Sequence, residues 1–436
     1  MSIARRTWLA SAAAWSLAAA LVRSAGAQEP IDSTVRSAMR DYLAACRADG
    51  GKLWGRSLCG PIILVDPETR RAIASAEPPS GGFSQWMGAW EGVVPPGIPL
   101  SNTSLVWVGT PWAFVRLPLS SDRLVRVQLL LHESFHRIED SLNLAGADPM
   151  LPHLDERDGR YWLRLELRAM SAALSATGDS ARQATRDALL FRAQRHQLYP
   201  GTDTLEDQVE RHEGMAEYTG MALALRQTGS PLSATARSFS EFESRPSFVR
   251  ALGYGTGPGL GLLLDRYAAG WREHLAGQSP SGMLASAVGF ETPANLERVA
   301  ADRASRYGAT ALAAEEDARE TARQARLAAY RRALIEGPVL VLRQERLSRS
   351  FNPNNLVAFG SDGTVYPDGS FSAEWGSLEV DDGGVLVAGD FGSVRAALPA
   401  DTGARPIRGK GWTLELAKGW HFVAGSRPGD IEVARN

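Results

Sequence analysis

Near Gly337-Pro338 the chain changes its period, and that change bounds what it can fold into. Upstream, from Tyr161 to about Arg226 and again from Pro293 to Ile335, segments such as "RYWLRLELRAMSAALSA" repeat apolar residues at helical spacing. Downstream, "LVAFGSDGTVYP" and "WTLELAKGWHFVAG" are short alternating runs broken by Asp-Gly and Pro-Asp-Gly, the pattern of hairpins. The expected fold class is therefore α+β. Residues 28–336 form one region, mixed to about 150 and helical over 151–336, and residues 337–436 form an all-β module. The chain carries no convincing internal repeat.

Residues 1–27 stand apart. Arg5 and Arg6 precede an apolar run from Trp8 to Val22, which ends at Ala25-Gly26-Ala27. That order predicts a secretory signal peptide cut after Ala27, and "RRTWL" has part of a twin-arginine signal. Cleavage removes three arginines and no acid, taking the formal charge from −2 to −5. A mildly acidic exported chain has no basic field for nucleic acid. No later stretch is long and apolar enough to span a bilayer. The two cysteines, Cys46 and Cys59, are predicted to form a disulfide in an oxidising compartment, periplasmic or extracellular. The totals do not fix an oligomeric state.

Residues 31–50 read as a helix, and "GPIILVDPETRRAIAS" and "SLVWVGTPWAFVRLPL" as one strand each. After Pro118, Ser121 and Asp122 are both suitable N-caps for a helix with Leu124, Val127, Leu130, Leu131 and Phe135 on one face. That helix carries His132-Glu133-Ser134-Phe135-His136. Residues four apart share a helical face, so two imidazoles can hold one ion, with Glu133 beside the first to take a proton from water. The alternative, a solvated helix end, fits poorly with the apolar "VQLLL" that leads into it.

A catalytic zinc usually needs a third protein ligand. The version with a glycine and a third histidine soon after is excluded, because Glu139 and Leu142 occupy those places. His153 lies in a Pro-bounded loop, and His196 and His274 read as exposed helix faces. In "DTLEDQVERHEGMAEYTG", Glu206, Glu210, Glu213 and Glu217 fall at i, i+4, i+7 and i+11, one stripe among core-type residues. Such a stripe is either solvated or turned inward to a cation. Glu213, Glu217 and Glu210 all stay open as the third ligand.

"HESFH" followed well downstream by "EGMAEY" resembles the gluzincin branch of the zincin metallopeptidases. The likeness covers about residues 105–270, and helices over 161–198 fill a longer gap than in many members. The resemblance implies zinc held by His132, His136 and Glu213. It implies Glu133 as the catalytic base and Glu217 as the carboxylate that bonds the first histidine. It also implies an edge strand ("VWVGTPWAFVRLPL") beside the cleft for an extended peptide or protein substrate.

An oxyanion needs a further donor, for which Tyr254 in the loop-like "GYGTGPG" is the candidate; Tyr218 reads as structural. Glu166 is an inward-facing carboxylate that could support the site. Trp54, Trp86, Trp90, Trp107 and Trp112 cluster early and read mainly as packing. The Arg-rich helix over 303–332 reads as a solvated face. The expected function is an exported zinc metallopeptidase. The alternatives are a catalytically silent zincin-fold scaffold of the cell envelope and a zinc hydrolase of a non-peptide bond.

Overall fold

The computed structural model describes residues 33–436 apart from 87, 145, 353 and 354, so the expected signal segment lies outside the described residues. The chain mixes helix and sheet, with a β-rich C-terminal region. Helix α1 (Ser33–Asp49) buries Val35, Met39, Tyr42 and Cys46. The Cys46–Cys59 disulfide ties it to the segment that leads into the first sheet.

That sheet has β1 (Ile62–Val65), β2 (Arg71–Ala74), β3 (Phe83–Trp86), β4 (Ala89–Val93), β5 (Thr103–Trp107) and β6 (Thr110–Arg116) in the order β3-β4-β2-β1-β6-β5. Strands β1 and β6 run parallel and every other neighbouring pair antiparallel. Each stretch read as one strand is in fact a hairpin. The first turns at Asp66, whose side chain accepts from the Glu68 and Thr69 amides. The second turns at Val108-Gly109, both at positive φ, which lets two strands close through two residues. This leaves β5 at the sheet edge.

Helix α2 (Arg123–His136) follows β6. Asp122 is the cap, its carboxylate accepting from the Leu124 amide at 2.8 Å. The face predicted to be apolar is buried, with Val127, Leu130, Leu131 and Phe135 all inaccessible. The helices α3 (Arg157–Ser175), α4 (Gly178–Leu198), α5 (Thr202–Val209), α6 (Met215–Thr228), α7 (Thr235–Glu243) and α8 (Leu252–Tyr267) complete this body.

Two glycine contacts fix how the helices around α2 sit. A Cβ at Gly220 of α6 would stand 2.4 Å from the Gln128 carbonyl, and one at Gly257 of α8 would stand 2.2 Å from the Gly214 carbonyl. Only glycine permits either approach. The "GYGTGPG" segment, expected as a loop, is therefore the start of α8: its glycines serve close helix packing, and Pro258 is accommodated inside the helix. Trp54 packs against Phe135, Tyr218 and Trp271, and Trp107 against Trp112 and Phe114, in keeping with a packing role.

Helices over Pro280–Val288, Leu296–Ala304 and Ala309–Arg331 lead to the C-terminal region. The last of these is largely exposed, but its Glu316 is fully buried against Arg160 and Arg164, so this face is not simply solvated. Among the described residues, twelve strands between Val339 and Arg435 form a seven-stranded and a five-stranded sheet around Trp375, Trp412, Phe371 and Leu378. Tyr330 and Leu334 pack on Val365 and Leu386 and join it to the preceding helix.

Candidate metal centre

Helix α2 carries His132 and His136 one turn apart, with ring centroids 4.9 Å apart. Glu213 reaches them from a neighbouring element, a single π turn (Glu210–Gly214) between α5 and α6. The His132 and His136 Nε2 atoms lie 3.2 Å apart, and Glu213 Oε2 lies 3.3 Å from the first and 3.8 Å from the second. A tetrahedral ion with ligands at 2.0–2.1 Å has ligand-to-ligand edges of about 3.3 Å, so the three atoms already stand at the spacing of one face of such a shell.

The outer edges of the rings are committed elsewhere. His132 Nδ1 meets Glu217 Oε2 at 2.8 Å, and His136 Nδ1 meets Glu139 Oε2 at 2.9 Å. Glu217 is held in turn by Gln128, which donates at 2.6 Å to its other oxygen. With each Nδ1–H given to a carboxylate, both Nε2 atoms present lone pairs toward each other and toward Glu213. Glu213 Oε2 is buried without a hydrogen-bond partner among the described residues. Three converging electron-pair donors, one orphaned, could hold a cation between them. The donor set of two imidazoles and one carboxylate suits zinc.

The electrostatics show the same demand for positive charge, which protons on the imidazoles meet in the metal-free chain. Burial works against charging His132, but the Glu213 and Glu217 carboxylates outweigh it and hold its pKa well above the usual value. The same balance, with Glu139 and Glu213 outweighing burial, raises His136 to about 9. Glu213 itself is held far below the usual carboxylate range by the two imidazoles, against the effect of burial. Glu133 is 4 % exposed, and burial pushes its pKa up; its carboxylate has no hydrogen-bond partner among the described residues.

Tyr254 stacks on His132, ring centroids 5.5 Å apart and planes 9° apart. Burial, and then the Glu213 carboxylate, hold its hydroxyl far above the usual pKa, so it stays a neutral donor. All these groups line a cleft of about 830 Å³ floored by α2, with β5 on one side and α7 on the other.

Several expectations change. Glu206 and Glu210 do not join this site: they are fully buried against Arg195 and Arg192, and Glu166 lies in the same ion-paired cluster. The extra residue in the π turn advances the following side chains by about 100° relative to a regular helix, and so splits the four-glutamate stripe. His153 and His196 are not loop and surface residues; both bond Glu206, at 2.7 and 2.8 Å. Tyr218 donates to Asp265 and is structural as read.

Two residues of the cleft were not singled out. Glu139 bridges His136 and His212, with His212 Nδ1 2.6 Å from its Oε1. Its place three residues after His136 was the available signal; His212 adjoins Glu213 but is joined to Glu139 only by the fold. His136, Glu139 and His212 form a second group compact enough to hold a metal, sharing His136 with the first. No family model matches the chain, and comparison with curated proteins and with solved structures finds no match.

Proposed function

We propose that the protein is an exported zinc-dependent peptidase of gluzincin type, with the metal held by His132, His136 and Glu213. What carries this reading is one observation: two Nε2 atoms and one carboxylate oxygen at mutual distances of 3.2, 3.3 and 3.8 Å, with both Nδ1 atoms taken by carboxylates. Zinc bound there supplies a Lewis acid that acidifies water and polarises a carbonyl.

The chain's own residues supply the rest. Glu133, whose burial raises its proton affinity, takes the proton of the attacking water as the O–C bond forms and delivers it to the leaving nitrogen as the C–N bond breaks. Tyr254 donates a hydrogen bond to the developing oxyanion. Glu217 and Glu139 fix the ring orientation of the two histidines. Strand β5, unpaired on its outer side, offers backbone groups to an extended peptide. The disulfide is compatible with an exported protein.

Metal analysis of the protein beside Glu213→Gln tests the ligand set: about one zinc per chain is expected, and much less in the folded variant. Equal zinc in both would remove Glu213 from the site. Glu133→Gln should keep zinc and fold while losing turnover of a peptide library by a factor on the order of a thousand or more. Full turnover in that variant would end the mechanism; no cleavage by the zinc-loaded wild type would favour the scaffold.

A further inference from the structure

The α7 wall of the cleft carries one cation, Arg245, that no carboxylate among the described residues neutralises. Arg245 follows α7 on the face of Phe242, with its guanidinium carbon 5.3 Å from the Phe242 ring and 5.5 Å from the Tyr254 ring. Among the described residues no carboxylate lies within ion-pair distance of it. The other arginine of the cleft, Arg137, is spent on the Pro111 and Leu58 carbonyls.

Arg245 is exposed, and an exposed arginine is ordinarily only solvated, but its setting is built. Its amide bonds the Phe242 carbonyl, and Arg319 donates to the carbonyls of Arg245 and Pro246. Glu243, two residues earlier, is clamped by Arg164 and Arg168. The backbone is thus anchored on both sides, and two aromatic rings bed the guanidinium. Apart from Arg137, whose guanidinium is turned to the Pro111 and Leu58 carbonyls, the other charges that line this cleft away from the metal-facing groups are Glu241 and Asp140. Both are acidic, so Arg245 is the position where an anionic substrate group finds attraction.

The reach of this charge limits what it can hold. Two steps of 5.5 Å, from guanidinium carbon to the Tyr254 ring and from that ring to His132, put it no more than 11 Å from the ligand imidazole. A bidentate guanidinium holds a carboxylate carbon about 4 Å from its own. The remaining distance is at most about 7 Å, room for no more than about two residues of extended chain.

Resting on the peptidase reading, we infer that Arg245 binds the C-terminal carboxylate of the substrate, so that the protein removes one or two residues from the carboxyl end of short peptides. The carboxylate pairs with the guanidinium, the last residues lie between α7 and β5, and the scissile carbonyl falls beside Glu133. Arg245 sets which bond is presented; it takes no part in proton transfer.

The test uses an acetylated hexapeptide mixture in two forms, free acid and C-terminal amide, with the zinc-loaded protein. Free acids should be shortened by one or two residues, with a kcat/KM on the order of ten- to a hundredfold above the amides. In Arg245→Met, shown folded by circular dichroism, that ratio should fall to near one, and Arg245→Lys should keep part of it. Equal cleavage of acids and amides, scattered internal cuts, or an unchanged ratio in Arg245→Met would overturn the inference. Amides with Glu in the last two places, cleaved as fast as free acids, would overturn it in favour of an acidic side chain.

A binding arm separates this failure from that of the peptidase reading. Calorimetry with zinc-loaded Glu133→Gln should show tighter binding of acid than amide, abolished by adding Arg245→Met. If no peptide is cleaved but this difference appears, the peptidase reading falls and the carboxylate site stands. No difference overturns the site whatever the activity.

Discussion

Glu206 and Glu210, up to the first residue of the π turn, and Glu213 and Glu217, from within that turn onward, belong to one run of sequence and meet opposite fates. The first two are fully buried and saturated: Arg195 spans both oxygens of Glu206, and Arg192 both oxygens of Glu210, while Glu166 joins the two guanidiniums. His153, His196 and Thr256 complete the shell. In the second pair Glu217 meets His132 and the neutral amide of Gln128, and one Glu213 oxygen is left with no hydrogen-bond partner among the described residues. Burial of carboxylates therefore does not distinguish a saturated cluster from an open one. What distinguishes them is whether the positive charge is already built into the chain.

The largest effect that would break this comparison lies in the saturated half. Arg192→Ala strips the guanidinium from Glu210 and half of the pairing from Glu166, leaving buried charge without compensation. It should cost about 3–5 kcal/mol in denaturant unfolding. Zinc per folded chain should stay near one, because none of Arg192's partners faces the cleft. A cost below about 1 kcal/mol would mean that the network is not the closed structural unit described here.

An intermediate effect lies in the open half. Glu217→Gln keeps shape but replaces the carboxylate that fixes His132, and Glu139→Gln does the same at His136. Each should weaken zinc by about 10–100-fold in competition with a chelator. Each should also lower the stability of the metal-free protein near neutral pH, where the same carboxylate holds a protonated ring. If zinc affinity stays intact in both variants, the outer carboxylates do not orient the ligands and the comparison fails at its centre.

The two halves also differ in how far they could be read from sequence. His132, Glu133 and His136 were legible because i, i+4 spacing on an amphipathic helix is a local property, and strand β6 and the Asp122 cap placed that helix. That the four-glutamate run turns inward was legible, but its division was not. A π turn differs from an α turn by one hydrogen-bond offset, and no residue in "ERHEG" declares it. Arg192 and Arg195 lie on α4, and nothing local shows that they face α5. Tyr254 was placed in a loop because glycine and proline usually break helices. Here the glycines answer a contact with Gly214, which only the assembled fold creates.

The smallest expected effect sharpens the comparison through pH. Glu206 is held well below the usual carboxylate range, Arg195 outweighing burial, so its contribution is complete above its unfolded value of 4.5 and is lost only as pH falls through the lower folded one. His136, raised from 6.5 to about 9, acts in the opposite sense: in the metal-free chain its contribution is complete below pH 6.5 and is lost as pH rises through about 9. Between pH 7 and 5, therefore, neither group costs the metal-free fold anything, while protons compete for the ligand imidazoles and displace zinc. Metal-free Tm should hold within a few degrees across that interval while bound zinc falls away, and Tm should decline between pH 7 and 9. A metal-free protein that unfolds between pH 7 and 5 would show that the arginine cluster, too, depends on groups titrating there, and that the two halves are not independent.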